Sequence, residues 1–168
     1  VNMMRQNSLA SADPAEVVAF SLRLDKLIRE GAGANAAMKT LLTELGAIKQ
    51  TLLRSGTEGE LRATARGLEL EVMDLQVKLS GDPARDLAGD PGPVSVNRRV
   101  NVAQMGTSFS TYGPAPMHER SLEMGEQEFT AIKAALDRIF NTDMPALRKA
   151  MDEAGVPWTP GRGVPGTN

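Results

Sequence analysis

Residues 30–39 read EGAGANAAMK, and they place Gly31, Gly33 and Ala36 at the G-x-G-x-x-A spacing of a turn that offers backbone amides to a dinucleotide pyrophosphate. That chemistry needs a buried strand in front of the first glycine. The residues that precede Gly31 here, SLRLDKLIRE, carry charges in a helical pattern instead, so the glycines read as interior helix positions. His118 is the only histidine and lies beside Glu119 at a helix start. A catalytic dyad would need a nucleophile and an orienting acid brought to it by folding, and the simpler expectation is a solvated side chain. Glu119, Glu123, Glu126 and Glu128 could be imagined as carboxylate ligands. Metal centres in helix bundles add Glu-x-x-His pairs from two helices, which one histidine cannot supply. The four carboxylates therefore read as a solvated acidic face, and no catalytic, cofactor-binding or metal residue is assigned.

Other positions suggest contacts rather than reactions. Asn35 falls on an inward-facing helical stripe, where an amide must find a partner or cost a few kcal/mol, about 1 to 3 by mutational measures; Asn97 or Asn101 is the expected partner. Gly31 lies on the same stripe and is expected to let a neighbouring helix approach closely. Met105, Met117, Met124, Met144 and Met151 read as flexible core filler in a chain with only 4% aromatic residues. Trp158, the only tryptophan, is bracketed by Pro157 and Pro160. The expectation is that these prolines stiffen the tail and dock the ring on the helices.

The elements that hold these residues are helical. The 168 residues are about the length of one domain, and Leu, Val, Ala and nine Met must build its core. A net charge of -2 with interspersed signs gives no footprint for nucleic acid or an anionic membrane. No run approaches the roughly 18 apolar residues of a membrane span. The lack of cysteine excludes disulfides, thiolate metal sites and a Cys nucleophile, while leaving the compartment open. The chain opens on Val and reads as a processed or excised piece of something longer.

Asp13-Pro14 is a helix start, and one periodicity runs from Val17 to Leu53, predicting a helix over 14–54 with a break at 31–34 as the competing reading. Thr57 and Glu60 have the T-x-x-E spacing of a capping box for a second helix ending near Leu79. Residues 80–93, rich in Gly, Pro and Asp, are expected to form a loop that crosses the bundle or makes a contact. A third helix is predicted over 94–110 and a fourth over 117–140, with Leu122, Gly125, Phe129, Ile132, Leu136, Ile139 and Phe140 on one face. Asp143 is placed to cap a short fifth helix that stops at Gly155. The expected architecture is all-α: an up-and-down four-helix bundle over 13–155, a flexible segment over 1–12, and an extended Pro/Gly-rich tail over 156–168.

VNRR (96–99), GPAPM, GEQEFTAIKAALDRI and TDMPALRKAMDEAGVPWTPGR resemble the C-terminal helical region of bacterial sortilin-like proteins. Those proteins carry Asp-box, or bacterial neuraminidase, repeat β-propellers and are often described as glycosyl hydrolases. The similarity falls on Val96, Asn97 and Arg99; Pro116; Glu126, Glu128 and Phe129; Asp143, Pro145, Ala146 and Leu147; and Gly155, Pro157 to Arg162. The Asp-box motifs themselves are absent, so no catalytic residue carries over. The resemblance implies a non-catalytic accessory domain of an exported protein, with Gly31, Asn35, Asn97, Arg99, Phe129, Trp158 and Arg162 as structural or interaction residues. The implied partner is the propeller portion of the parent or a second copy. A carbohydrate-active hydrolase is the alternative, and it requires paired carboxylates about 5 to 9.5 Å apart.

Overall fold

The computed structural model describes residues 13–57, 59–90, 92–108 and 113–163, and every regular element among them is helical. The expectations for 1–12, for Ser110 and for 164–168 lie outside the described residues.

Helix α1 spans Pro14–Arg54 without interruption. Asp13 starts it, its Oδ1 accepting from the Ala15 amide at 3.0 Å. At 1.5 Å per residue it is about 60 Å long. Gly31 and Gly33 cost it roughly 1 kcal/mol each relative to Ala, yet the helix does not break. Leu27, Met38 and Leu41 are buried on either side of them, and each contributes about 1.5 to 3 kcal/mol by leaving water, so packing outweighs propensity.

Helix α2, Glu60–Ser80, returns antiparallel to α1. Lys49 pairs with Glu69 at 2.6 Å, Gln76 donates to Asn35 at 3.5 Å, and Leu79 lies against Gly31. The expected capping box does not form. Thr57 Oγ1 lies 2.8 Å from Ser55 Oγ, at the end of α1. Gly59, at φ +100°, occupies the cap of α2, so Glu60 becomes its first residue rather than its third.

The segment after α2 is more ordered than its composition suggests. It holds helix α3, Pro83–Leu87, capped by Asp82 Oδ1, which accepts from the Ala84 and Arg85 amides at 3.0 and 3.4 Å. Helix α4 follows at Val96–Ser108, and its first residues adjoin the end of α2, with Asn97 Nδ2 donating to Ser80 Oγ at 3.5 Å.

Helix α5, Pro116–Arg138, passes through a π-helical turn, Ile139–Asp143, into helix α6, Met144–Glu153. The buried residues explain the wide turn. Leu136, Ile139, Met144, Leu147 and Met151 all face the core, and the five-residue step from Ile139 to Met144 keeps one face only if a residue is inserted into the helix. The Met144 amide accordingly donates to Ile139 O, and Pro145 has no amide to misplace. Two expectations change as a result. Asp143 caps nothing and instead pairs with Arg138 Nε at 3.1 Å, and Phe140 turns outward.

These contacts set the elements in three columns rather than a four-helix bundle. α1 is the first column. α2 and α4 succeed one another antiparallel to it as the second. The third, α5 through α6, runs antiparallel to both members of the second: Arg99 meets Glu128, Gly106 meets His118, and Glu71 meets Arg138. One core of leucines, valines and buried Met38, Met144 and Met151 runs through all of them, while Met105 and Met117 are exposed.

Candidate functional site

Gly125, Glu126, Glu128 and Phe129 of α5 join three helices. Glu126 turns toward α1, where Arg23 donates to both its oxygens at 3.2 and 2.7 Å and also reaches Glu119 at 3.1 Å. Glu128 turns toward α4 and takes two 2.7 Å bonds from Arg99. Phe129 points into the core between them. Gly125 lets the helices meet: a methyl there would lie 3.3 Å from Leu27 and 3.6 Å from Arg99.

The Glu126 and Glu128 hydrogen bonds hold Arg23 and Arg99 above the ordinary guanidinium value, against the opposing effect of desolvation. These side chains are permanently charged and serve as cross-links, not as proton donors. Most of the expected solvated acidic face is therefore ion-paired, and Glu123 alone of the four makes no such pair among the described residues. No group of three or more His, Asp or Glu side chains among these residues could hold a metal ion.

His118 is likewise structural rather than merely solvated. Its Nδ1 accepts from the Ala115 amide at 2.9 Å, which satisfies an otherwise free donor at the start of α5. Its ring covers Gly106, where a methyl would come within 2.6 Å of it.

The residues after α6 form a second polar cluster. Gly155, at φ +66°, stops the helix, and the Val156 amide returns to Met151 O at 3.0 Å. The following TPGR closes a turn of the type that takes Pro at its second position and Gly at its third. The Arg162 amide donates to Thr159 O at 3.2 Å and Gly161 adopts φ +90°. The tail is thus folded rather than extended over its described part.

The folded tail buries the Arg162 guanidinium. It donates to the carbonyls of Val156 at 3.1 Å and Pro157 at 2.8 Å and to the carboxylate of Asp152. Gly161 rests directly on Glu44 of α1, whose carboxylate takes two 2.8 Å bonds from Arg148 of α6. That bonding holds Arg148 above its ordinary value despite partial burial.

Trp158 departs from expectation. Its indole N–H donates to Arg162 O at 3.0 Å, but the residue is 54% exposed. Val156, Thr159 and Arg162 are what the tail buries. The turn hands its polar atoms to the interior and presents the ring outside, held by one bond and flanked by two prolines.

The remaining sequence candidates are dispersed. Gly31 is buried, yet a methyl there would meet Leu79 at an ordinary 3.8 Å, so the approach does not require glycine. Asn35 is only half-buried and is met by Gln76 of α2, not by Asn97 or Asn101, because α4 begins beyond the end of α2. Asn97 is exposed and reaches Ser80. Arg99 and Phe129 share the α5 cluster, and Trp158 and Arg162 share the tail cluster.

Glu44 and Arg148 were not singled out by sequence reasoning, and no local pattern marks a pair separated by 104 positions. The TPGR turn was missed too, since the tail was read as extended, although its Pro-Gly pair is a turn signal. No protein-family model, curated protein or solved structure matches the chain.

Proposed function

We propose that the chain is a non-catalytic accessory helical domain of an exported, sortilin-like Asp-box propeller protein, and that it binds the remainder of that protein through Trp158. The observation that carries this reading is the division of labour in the tail. Arg162 donates to the Val156 and Pro157 carbonyls inside and Gly161 supplies the turn's positive φ, while the indole stays out with its N–H bonded to Arg162 O.

A pre-ordered aromatic ring loses little entropy on contact, and such rings dominate the energetics of protein interfaces. The side chains that could have served hydrolysis support the same reading. Glu126 and Glu128 are each doubly bonded to an arginine on a different helix, which leaves no free acid and base pair between them.

Calorimetric titration of the chain against the propeller portion of its parent tests the proposal. Binding is expected, and Trp158→Ala should weaken it by about tenfold or more, equivalent to at least ~1.4 kcal/mol, with the helical spectrum unchanged. Equal binding by the variant, or turnover of aryl glycosides that is lost in Glu126→Gln, would overturn it.

A further inference from the structure

Two contacts fix the ring of His118, the one histidine of the chain, at the start of α5. Its Nδ1 accepts from the Ala115 amide at 2.9 Å. The ring rests on α4 at Gly106, a buried glycine where a methyl would lie 2.6 Å from both Cγ and Nδ1. His118 is the third residue of its helix, the position where a capping box places Glu or Gln to accept from the same backbone amide. An imidazole fills that role only while its Nδ1 carries no proton.

We propose that His118 is a pH-sensitive latch: neutral, it holds the first turn of α5 against α4 at Gly106, and protonated, it lets that turn go. Protonation puts an N–H on Nδ1, so that two donors face one another across 2.9 Å and neither accepts. Inward movement of the ring gives no relief, because Gly106 leaves it no further room. The ring must swing toward solvent, which it already partly reaches, and the Ala115 amide then loses its side-chain acceptor. The contact is thus present above the pH at which the imidazole takes up its proton and is lost below it. For free histidine that pH is about 6.5.

The surrounding charges do not compensate the added proton. Glu119, next in the chain, is bonded at 3.1 Å to Arg23 of α1, a cation it shares with Glu126. On α4, against which the ring packs, the charged residues are Arg99 and Arg98, seven and eight positions before Gly106, and Arg99 is taken by Glu128. Within α5 the residues one turn along, Ser121 and Leu122, carry no charge. The free amides of a helix start repel a cation as well. Imidazole is the side chain whose free titration falls between about pH 5 and 8, so this end of the molecule responds to mild acid in a way that carboxylates do not. The latch is independent of the role proposed for Trp158.

Nuclear magnetic resonance of the intact chain, titrated from about pH 8 to 5, tests the latch. The Ala115 amide and the Gly106 α-proton resonances should shift in step with the C–H resonances of the imidazole itself, and end where His118→Ala has them at every pH. His118→Gln keeps an acceptor that does not titrate. Its Ala115 amide should hold its position across the range, and the melting temperature of the native chain should fall relative to that of this variant as the pH is lowered. An Ala115 amide that stays in place while the imidazole titrates, or that moves equally in His118→Gln, would refute the proposal.

Discussion

At the scale of single residues, the glycines separate into those that geometry demands and those it merely permits. Gly161 combines φ +90° with direct contact against the Glu44 carboxylate. Gly161→Ala must strain the backbone, at about 1 to 3 kcal/mol, and displace the Glu44–Arg148 pair as well. Thermal unfolding should show a melting temperature several degrees lower. Gly33 has a helical conformation and nothing near it. Gly33→Ala should therefore raise stability by about 0.5 to 1 kcal/mol; a loss there would mean that α1 is not the continuous helix described. Glu69 offers a pH test. Hydrogen bonding to Lys49 first, and to Arg66 after it, holds its carboxyl below the ordinary value of 4.5. A depressed folded value stabilises above the unfolded one and is lost as pH falls through the folded one. Melting temperature should accordingly drop as pH falls below 4.5, and Glu69→Gln should be less stable at neutral pH with a flatter acid limb. Parallel acid limbs for the two proteins would contradict this.

At the scale of elements, the strongest periodicities were legible and the junctions were not. The α1 stripe predicts its observed bounds, because Asp13-Pro14 starts the helix and each apolar step is three or four residues. The buried positions of α5 from Leu122 to Ile139 follow for the same reason. The five-residue step to Met144 is invisible to a search for helical spacing, so α5 and α6 read as separate helices and Asp143 as a cap. For the candidate site, Trp158 and Arg162 were legible as a motif, but which of them is buried depended on Gly161 meeting Glu44, a long-range contact. Deleting Asn141, exposed within the π-helical turn, tests the account of that junction. The step from Ile139 to Met144 then becomes four residues, which an ordinary helix keeps on one face, so Leu147 and Met151 should stay in the core and denaturant titration should show a midpoint little changed. A loss of the roughly 1.5 to 3 kcal/mol that each exposed Leu or Met would cost would mean that the turn is not a single residue inserted into a continuous helix.

At the scale of the whole molecule, the ion pairs fasten the columns to one another. Arg23–Glu126 and Arg99–Glu128 bind α1 and α4 to α5, and Glu44–Arg148 binds α1 to α6. The first of these is partly solvated at both ends and contributes about 0 to 1 kcal/mol as such a pair typically does. Glu44 is more deeply buried, so losing Arg148 would leave its carboxylate poorly compensated. The central claim is that the rigid frame presents the one tryptophan to a partner. The most direct measurement follows that residue's own fluorescence while the proposed partner, a sortilin-like propeller, is added. The ring, 54% exposed in the free chain, should begin accessible to acrylamide. It should then shift its emission to the blue and become shielded as the complex saturates. A complex that forms while the emission and quenching of Trp158 stay those of the free chain would contradict the account.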